Sequence, residues 1–113
     1  MSIKESILDF VRSAGGRSCI ELCDQVEGFR GDYDWIIGTN TIIWSGVSED
    51  AIKAMNELLN EKEVVGSGAS LLVYLVDGGM LKLPLAKSLK TKYKKPHWIP
   101  LTFSTYAQIG KAA

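Results

Sequence analysis

An α+β fold of three helices and a small antiparallel sheet is what the sequence predicts, and three observations predict it. Two short helical stretches each open on a capping box, a longer amphipathic helix occupies the middle of the chain, and β-branched and aromatic runs are separated by Gly-rich turns. The chain has 113 residues, 46% hydrophobic and 23% charged, enough for one globular core without disulfides or metals. The expected organisation is a single domain, with a core over residues 1–85 and a basic, aromatic-containing segment over 86–113 packed on it.

Ser2-Ile3-Lys4-Glu5 is the first capping box, in which Ser2 accepts from the backbone and Glu5 reaches back to it. Ile3, Ile7, Phe10, Val11 and Ala14 then recur at helical spacing, which predicts a helix over 3–14 that stops at Gly15-Gly16. Ser18-Cys19-Ile20-Glu21 repeats the box before Cys19, Leu22, Cys23 and Val26, and predicts a helix over 19–26. Asp32 to Ile37 and Thr41 to Trp44, joined by Gly38-Thr39-Asn40, read as a hairpin. Ser48 is the N-cap of the third helix, with Glu49 and Asp50 in its first turn and Val47 and Ile52 as a hydrophobic staple. Its apolar stripe is Ala51, Ile52, Met55, Leu58 and Leu59, and it ends near Lys62. Val64-Val65, the loop Gly66 to Ser70 and the run Leu71 to Val76 read as strand, loop and strand, with Met80 to Leu83 returning after Asp77-Gly78-Gly79. Pro96 and Pro100 favour an extended course around His97-Trp98-Ile99, and a short strand is expected near 101–104.

The order of these elements, two capped helices, the run Ser48 to Val65, a Gly-Ser loop and Leu71 to Leu75, resembles a winged helix-turn-helix domain over roughly residues 3–76. The resemblance lies in order and spacing alone. It implies a winged-helix-like fold that binds DNA through the third helix and wing, which places Lys53, Asn56, Asn60 and Lys62 on the reading helix and Gly66 to Ser70 in the wing. The chain departs from that pattern in two ways. Residues 27–46 are inserted between the second and third helices, and the third helix carries Glu49, Asp50, Glu57 and Glu61 against Lys53 and Lys62. An acidic helix enters a groove against phosphate repulsion, so it favours the use of such domains in protein interaction.

Thirteen Lys+Arg balance thirteen Asp+Glu, and a net charge of zero excludes a strongly basic nucleic-acid coat protein. The balance hides a separation: residues 1–78 hold six bases and all thirteen acids, net −7, and residues 79–113 hold seven lysines and no acid, net +7. Such a segment either contacts a polyanion or folds onto the acidic body. Lys82, Lys87, Lys90, Lys92, Lys94 and Lys95 are the candidate phosphate contacts, with Tyr93 as a stacking group and Lys53 and Asn56 as contacts from the third helix.

The residues offer little to catalysis. His97 is the single histidine and no motif supplies it a partner, and Asp32 and Asp34 are isolated from any acid/base partner. Cys19 and Cys23 lie four apart on the apolar face of a helix, without the further ligands a zinc site needs and without disulfide geometry. Gly66-Ser67-Gly68 leads into Leu71-Leu72-Val73 instead of opening a helix whose N-terminus would cradle phosphate. The longest apolar run has six residues, against roughly twenty for a membrane helix. The start, Met1 to Ser6, shows neither a secretory apolar region nor a myristoylation glycine, so a cytoplasmic protein is expected.

Two expectations of function follow. One is a small regulatory or accessory protein that binds DNA or RNA through the lysine-rich segment. The other is a non-catalytic protein-interaction module or homodimer, using the hairpin around Trp35 and Trp44 or the acidic face of the third helix. Neither involves an enzyme activity, a cofactor or a metal.

Overall fold

A computed structural model describes residues 2–88 and 90–112. Both capping boxes close. In α1 (Ile3–Ser13) the Ser2 Oγ accepts the Glu5 N–H at 3.2 Å, and in α2 (Cys19–Gln25) the Ser18 Oγ accepts the Glu21 N–H at 3.2 Å. Between them Gly16 takes a φ of 72°, which lets the chain turn directly into β1 (Arg17–Ser18). The hairpin forms from β2 (Arg30–Ile37) and β3 (Thr41–Val47), with Trp35 opposite Trp44, and it turns through Gly38 and Asn40 at positive φ. The third predicted helix is α3 (Glu49–Asn60), capped by Ser48, whose Oγ accepts the Ala51 N–H at 3.1 Å.

The structure then departs from the expected winged-helix-like arrangement of three helices and one small antiparallel sheet. After β4 (Val65–Gly68) the run expected as a strand is α4 (Leu71–Asp77), and after β5 (His97–Trp98) and β6 (Leu101–Ser104) the chain ends in α5 (Tyr106–Ala112). Among the described residues the fold therefore has five helices and two three-stranded sheets. One sheet is antiparallel in the order β1-β6-β4; the other has the order β2-β3-β5 and pairs β5 parallel to β3.

Tyr74 explains why Leu71 to Val76 coils. Its ring packs among Trp44 and Trp98, and its hydroxyl donates to the Leu101 carbonyl at 2.6 Å while accepting the Cys19 N–H at 3.1 Å. Helical geometry sends this one side chain inward and leaves Leu72, Leu75 and Val76 outside. Gly78, at φ 108°, ends the helix in the left-handed conformation, and the N–H groups of Gly78 and Gly79 both return to the Tyr74 carbonyl. The chain then leaves as a loop, so Met80 to Leu83 forms no strand, and β6 supplies the partner that β4 needs.

One core joins the two sheets. Trp35 of the hairpin stacks on Phe103 of β6 with centroids 5.6 Å apart, and Ile7, Val11, Leu22, Met55 and Leu58 close over them from the helices. No helix among the described residues is long and apolar enough to cross a membrane.

Candidate functional site

The lysine-rich segment is a loop with its two ends pinned side by side. Leu85 bridges to Trp98 in parallel: the Trp98 N–H donates to the Pro84 carbonyl at 2.8 Å, and the Ala86 N–H donates to the Trp98 carbonyl at 2.7 Å. The far end is tied to the hairpin, where the His97 N–H donates to the Asn40 carbonyl at 2.8 Å and the Ile99 N–H to the Ile42 carbonyl at 3.0 Å. Trp98 itself is fully buried and donates its indole N–H to the Ile43 carbonyl at 3.2 Å.

Tyr93 holds the loop's interior. Its hydroxyl accepts the Lys87 N–H at 2.8 Å, its carbonyl accepts from the Asn40 side-chain amide at 3.0 Å, and its ring stacks on His97 with centroids 3.8 Å apart. His97 Nδ1 lies 2.8 Å from the Lys95 carbonyl. A carbonyl only accepts, so Nδ1 carries a proton and the imidazole is fixed in orientation. Tyr93 therefore has one ring face engaged within the protein, and its evident work is to fix the loop.

The lysines point outward. Lys82, Lys87, Lys90, Lys92, Lys94 and Lys95 are all exposed. Among the described residues the ion pairs are made by Lys4, Arg12, Arg17 and Arg30, and none by these six lysines. The segment folds back through backbone hydrogen bonds and aromatic packing and leaves its positive charge uncompensated. That is a local positive surface on an anchored base.

Lys53 and Asn56 stand apart on α3. Asn56 accepts the Trp35 indole N–H at 3.1 Å, which commits its oxygen to the hairpin–helix contact. Lys53 borders a shallow groove with Ser2, Lys4, Asp50 and Glu57. Glu57 on the same helix and Glu61 at its C-cap receive Lys4 at 3.1 and 2.6 Å, and these carboxylates, Glu61 foremost, hold the Lys4 ammonium above its ordinary pKa. The acidic face of α3 is thus partly spent on α1. The hairpin tryptophans are not a free surface either, since Trp35 is buried and Trp44 is half-buried against Tyr74.

Sequence reasoning missed Asn40 as a residue that positions the loop, and the exposed side of α4. Asn40 carried a usable signal as a turn residue that tolerates positive φ, but its partners lie more than fifty residues away in the chain. On α4 and the turn that follows, Leu72, Leu75, Val76 and Met80 are 69%, 53%, 80% and 46% exposed. Both cysteines are free, and no group of three His, Cys, Asp or Glu side chains among the described residues could hold a metal ion. No family model, no curated protein and no solved structure matches this chain.

Proposed function

We propose that the protein binds the phosphate backbone of a nucleic acid, DNA or RNA, through the pinned loop that carries Lys87, Lys90, Lys92, Lys94 and Lys95, with Lys82 in the segment that leads into it. One observation carries this reading: five exposed lysines on an anchored loop, and Lys82 just before it, have no carboxylate partner among the described residues. An anchored loop spends little conformational entropy on binding, and lysine charges recognise phosphate without reading sequence. With Tyr93 packed on His97, the contact is to the backbone more than to stacked bases.

The test is a gel-shift titration on duplex and single-stranded DNA across a range of salt. Six phosphate contacts on a duplex give a slope of log K against log salt of about −5. Binding that does not weaken with salt would overturn the proposal.

A second reading rests on the apolar outer side of α4. Leu72, Leu75 and Val76 lie at helical spacing, and a second copy of the chain would cover them by presenting the same face about a two-fold axis. The chain also carries its own charge complement, acidic up to residue 78 and basic beyond it. Val76→Glu places a charge on the most exposed of these side chains. It should shift sedimentation from dimer to monomer while the circular dichroism spectrum stays that of the folded chain. A wild type that sediments as a monomer at high concentration removes this reading.

A further inference from the structure

A cavity of about 260 Å³ lies between α2, the base of the hairpin and the C-terminal end of α4, and neither Tyr93 nor His97 lines it. Ile20 and Cys23 of α2 and Trp44 of β3 give it apolar walls; Asp24, Arg30 and Asp77 give it charge. The indole of Trp44 is held in place by Tyr74 and Trp98, with centroids 5.2 and 5.9 Å away. The volume is just below the usual range for ligand pockets, and it suits one ring or a short chain.

The charges decide what kind of molecule fits. Arg30 pairs with Asp24, so those two cancel. Asp77 has no cation among the described residues; its Oδ2 accepts only the Ser18 hydroxyl, at 2.6 Å. It also stands at the C-terminal end of α4, where peptide carbonyls add to the negative potential. The lining therefore repels anions and leaves one carboxylate without a counter-charge. A metal ion does not satisfy it, because no three-ligand group is present among the described residues and burial keeps the Cys23 thiol protonated.

We infer that this cavity binds a small organic cation, with its ammonium or guanidinium group on Asp77 and its apolar body against Trp44 and Ile20. Gly78 and Gly79 line the cavity beside Asp77, and a Cβ added at Gly79 would come to 3.4 Å from Ile20 Cδ1. Charge supplies orientation and the indole supplies contact area, and a cation near an aromatic wall gains further attraction.

The experiment follows the indole N–H resonance of Trp44 during titration with 2-phenylethylammonium, 2-phenylethanol and 3-phenylpropionate at constant ionic strength. The ammonium compound should give a saturable shift, the alcohol a much weaker one and the carboxylate none. Asp77→Asn keeps an oxygen for the Ser18 hydroxyl and removes the charge, so it should weaken binding of the ammonium about tenfold, and Gly79→Val should block it by filling the cavity. The buried indoles of Trp35 and Trp98 report in the same spectra that each variant is folded. Equal shifts with the alcohol and the ammonium, an Asp77→Asn variant that binds as well as wild type, or no saturable shift with any of the three would overturn the inference.

Discussion

Cys19 shows how far one side chain's setting can govern the behaviour of the whole fold. It is fully buried where β1 passes into α2, its N–H is taken by the Tyr74 hydroxyl, and burial pushes its thiol pKa up from 9.0 to about 12. Burial raises Cys23 in the same direction, and it lifts the Tyr74 phenol well above its ordinary value. An unfolded chain releases the thiol protons near pH 9, whereas the folded chain keeps the Cys19 proton until about pH 12. The unfolded state therefore binds fewer protons in that window, and stability falls as pH rises through it. Below pH 9 the contribution is fully present. Each such group removes at most about 1.4 kcal/mol per pH unit, and up to pH 9 the cysteines act ahead of the tyrosine and Lys4, whose ordinary values are 10.0 and 10.5. Urea unfolding at half-unit steps from pH 8 to 10 should show a declining midpoint, with a shallower decline in Cys19→Ala. A midpoint flat across that range would mean that the thiol is not shielded as the structure has it.

At the level of elements, what could be read from the sequence is what depends on neighbours in the chain. The boxes Ser2–Glu5 and Ser18–Glu21, the cap at Ser48 and the turn at Gly38 to Asn40 are local devices, and α1, α2, the hairpin and α3 follow from them. Leu71 to Val76 failed because six apolar residues suit a buried strand and a short helix equally, and the choice fell to Tyr74, whose partners are Cys19 and the distant Leu101. The candidate site divides in the same way. The lysines were visible as a run, while the Asn40 contacts to Tyr93 and to the His97 backbone that anchor the run as a loop, and the cavity that gathers Ile20, Trp44 and Asp77, are long-range. Gly31 shows a long-range demand that composition also conceals. Its φ is unexceptional, but a Cβ there would sit 2.5 Å from the Ser48 Cα and 2.7 Å from its N, at the junction of β3 and α3. The clash is with backbone, so no rotamer relieves it. Gly31→Ala should cost about 1–3 kcal/mol in urea unfolding, because β2 must move off the β3–α3 corner. Gly38→Ala meets nothing within 4 Å and suffers only its positive φ, so it is the milder control.

Across the whole molecule the separation of charge sets binding against stability. An extent of 37 × 34 × 28 Å puts the net −7 of residues 1–78 and the net +7 of residues 79–113 within a few Debye lengths of each other, yet no described ion pair joins the loop lysines to the body. Lysines kept for the fold would be paired, and unpaired lysines crowded on one loop repel one another. Replacing Lys90, Lys92 and Lys94 together by Gln should therefore leave the melting temperature unchanged or slightly raised. Binding should behave oppositely. If the six lysines contact six phosphates, raising salt from 50 to 200 mM weakens the wild type about two-thousandfold and the variant, with three contacts left, only about fortyfold. The variant's affinity at low salt should fall steeply as well, since the body's acids then outweigh the remaining lysines and repel the polyanion. A variant that melts well below wild type would assign these lysines to the fold, and one that binds DNA as tightly as wild type would remove them from the interface; stability retained with binding lost is the combination that an exposed, uncompensated loop requires.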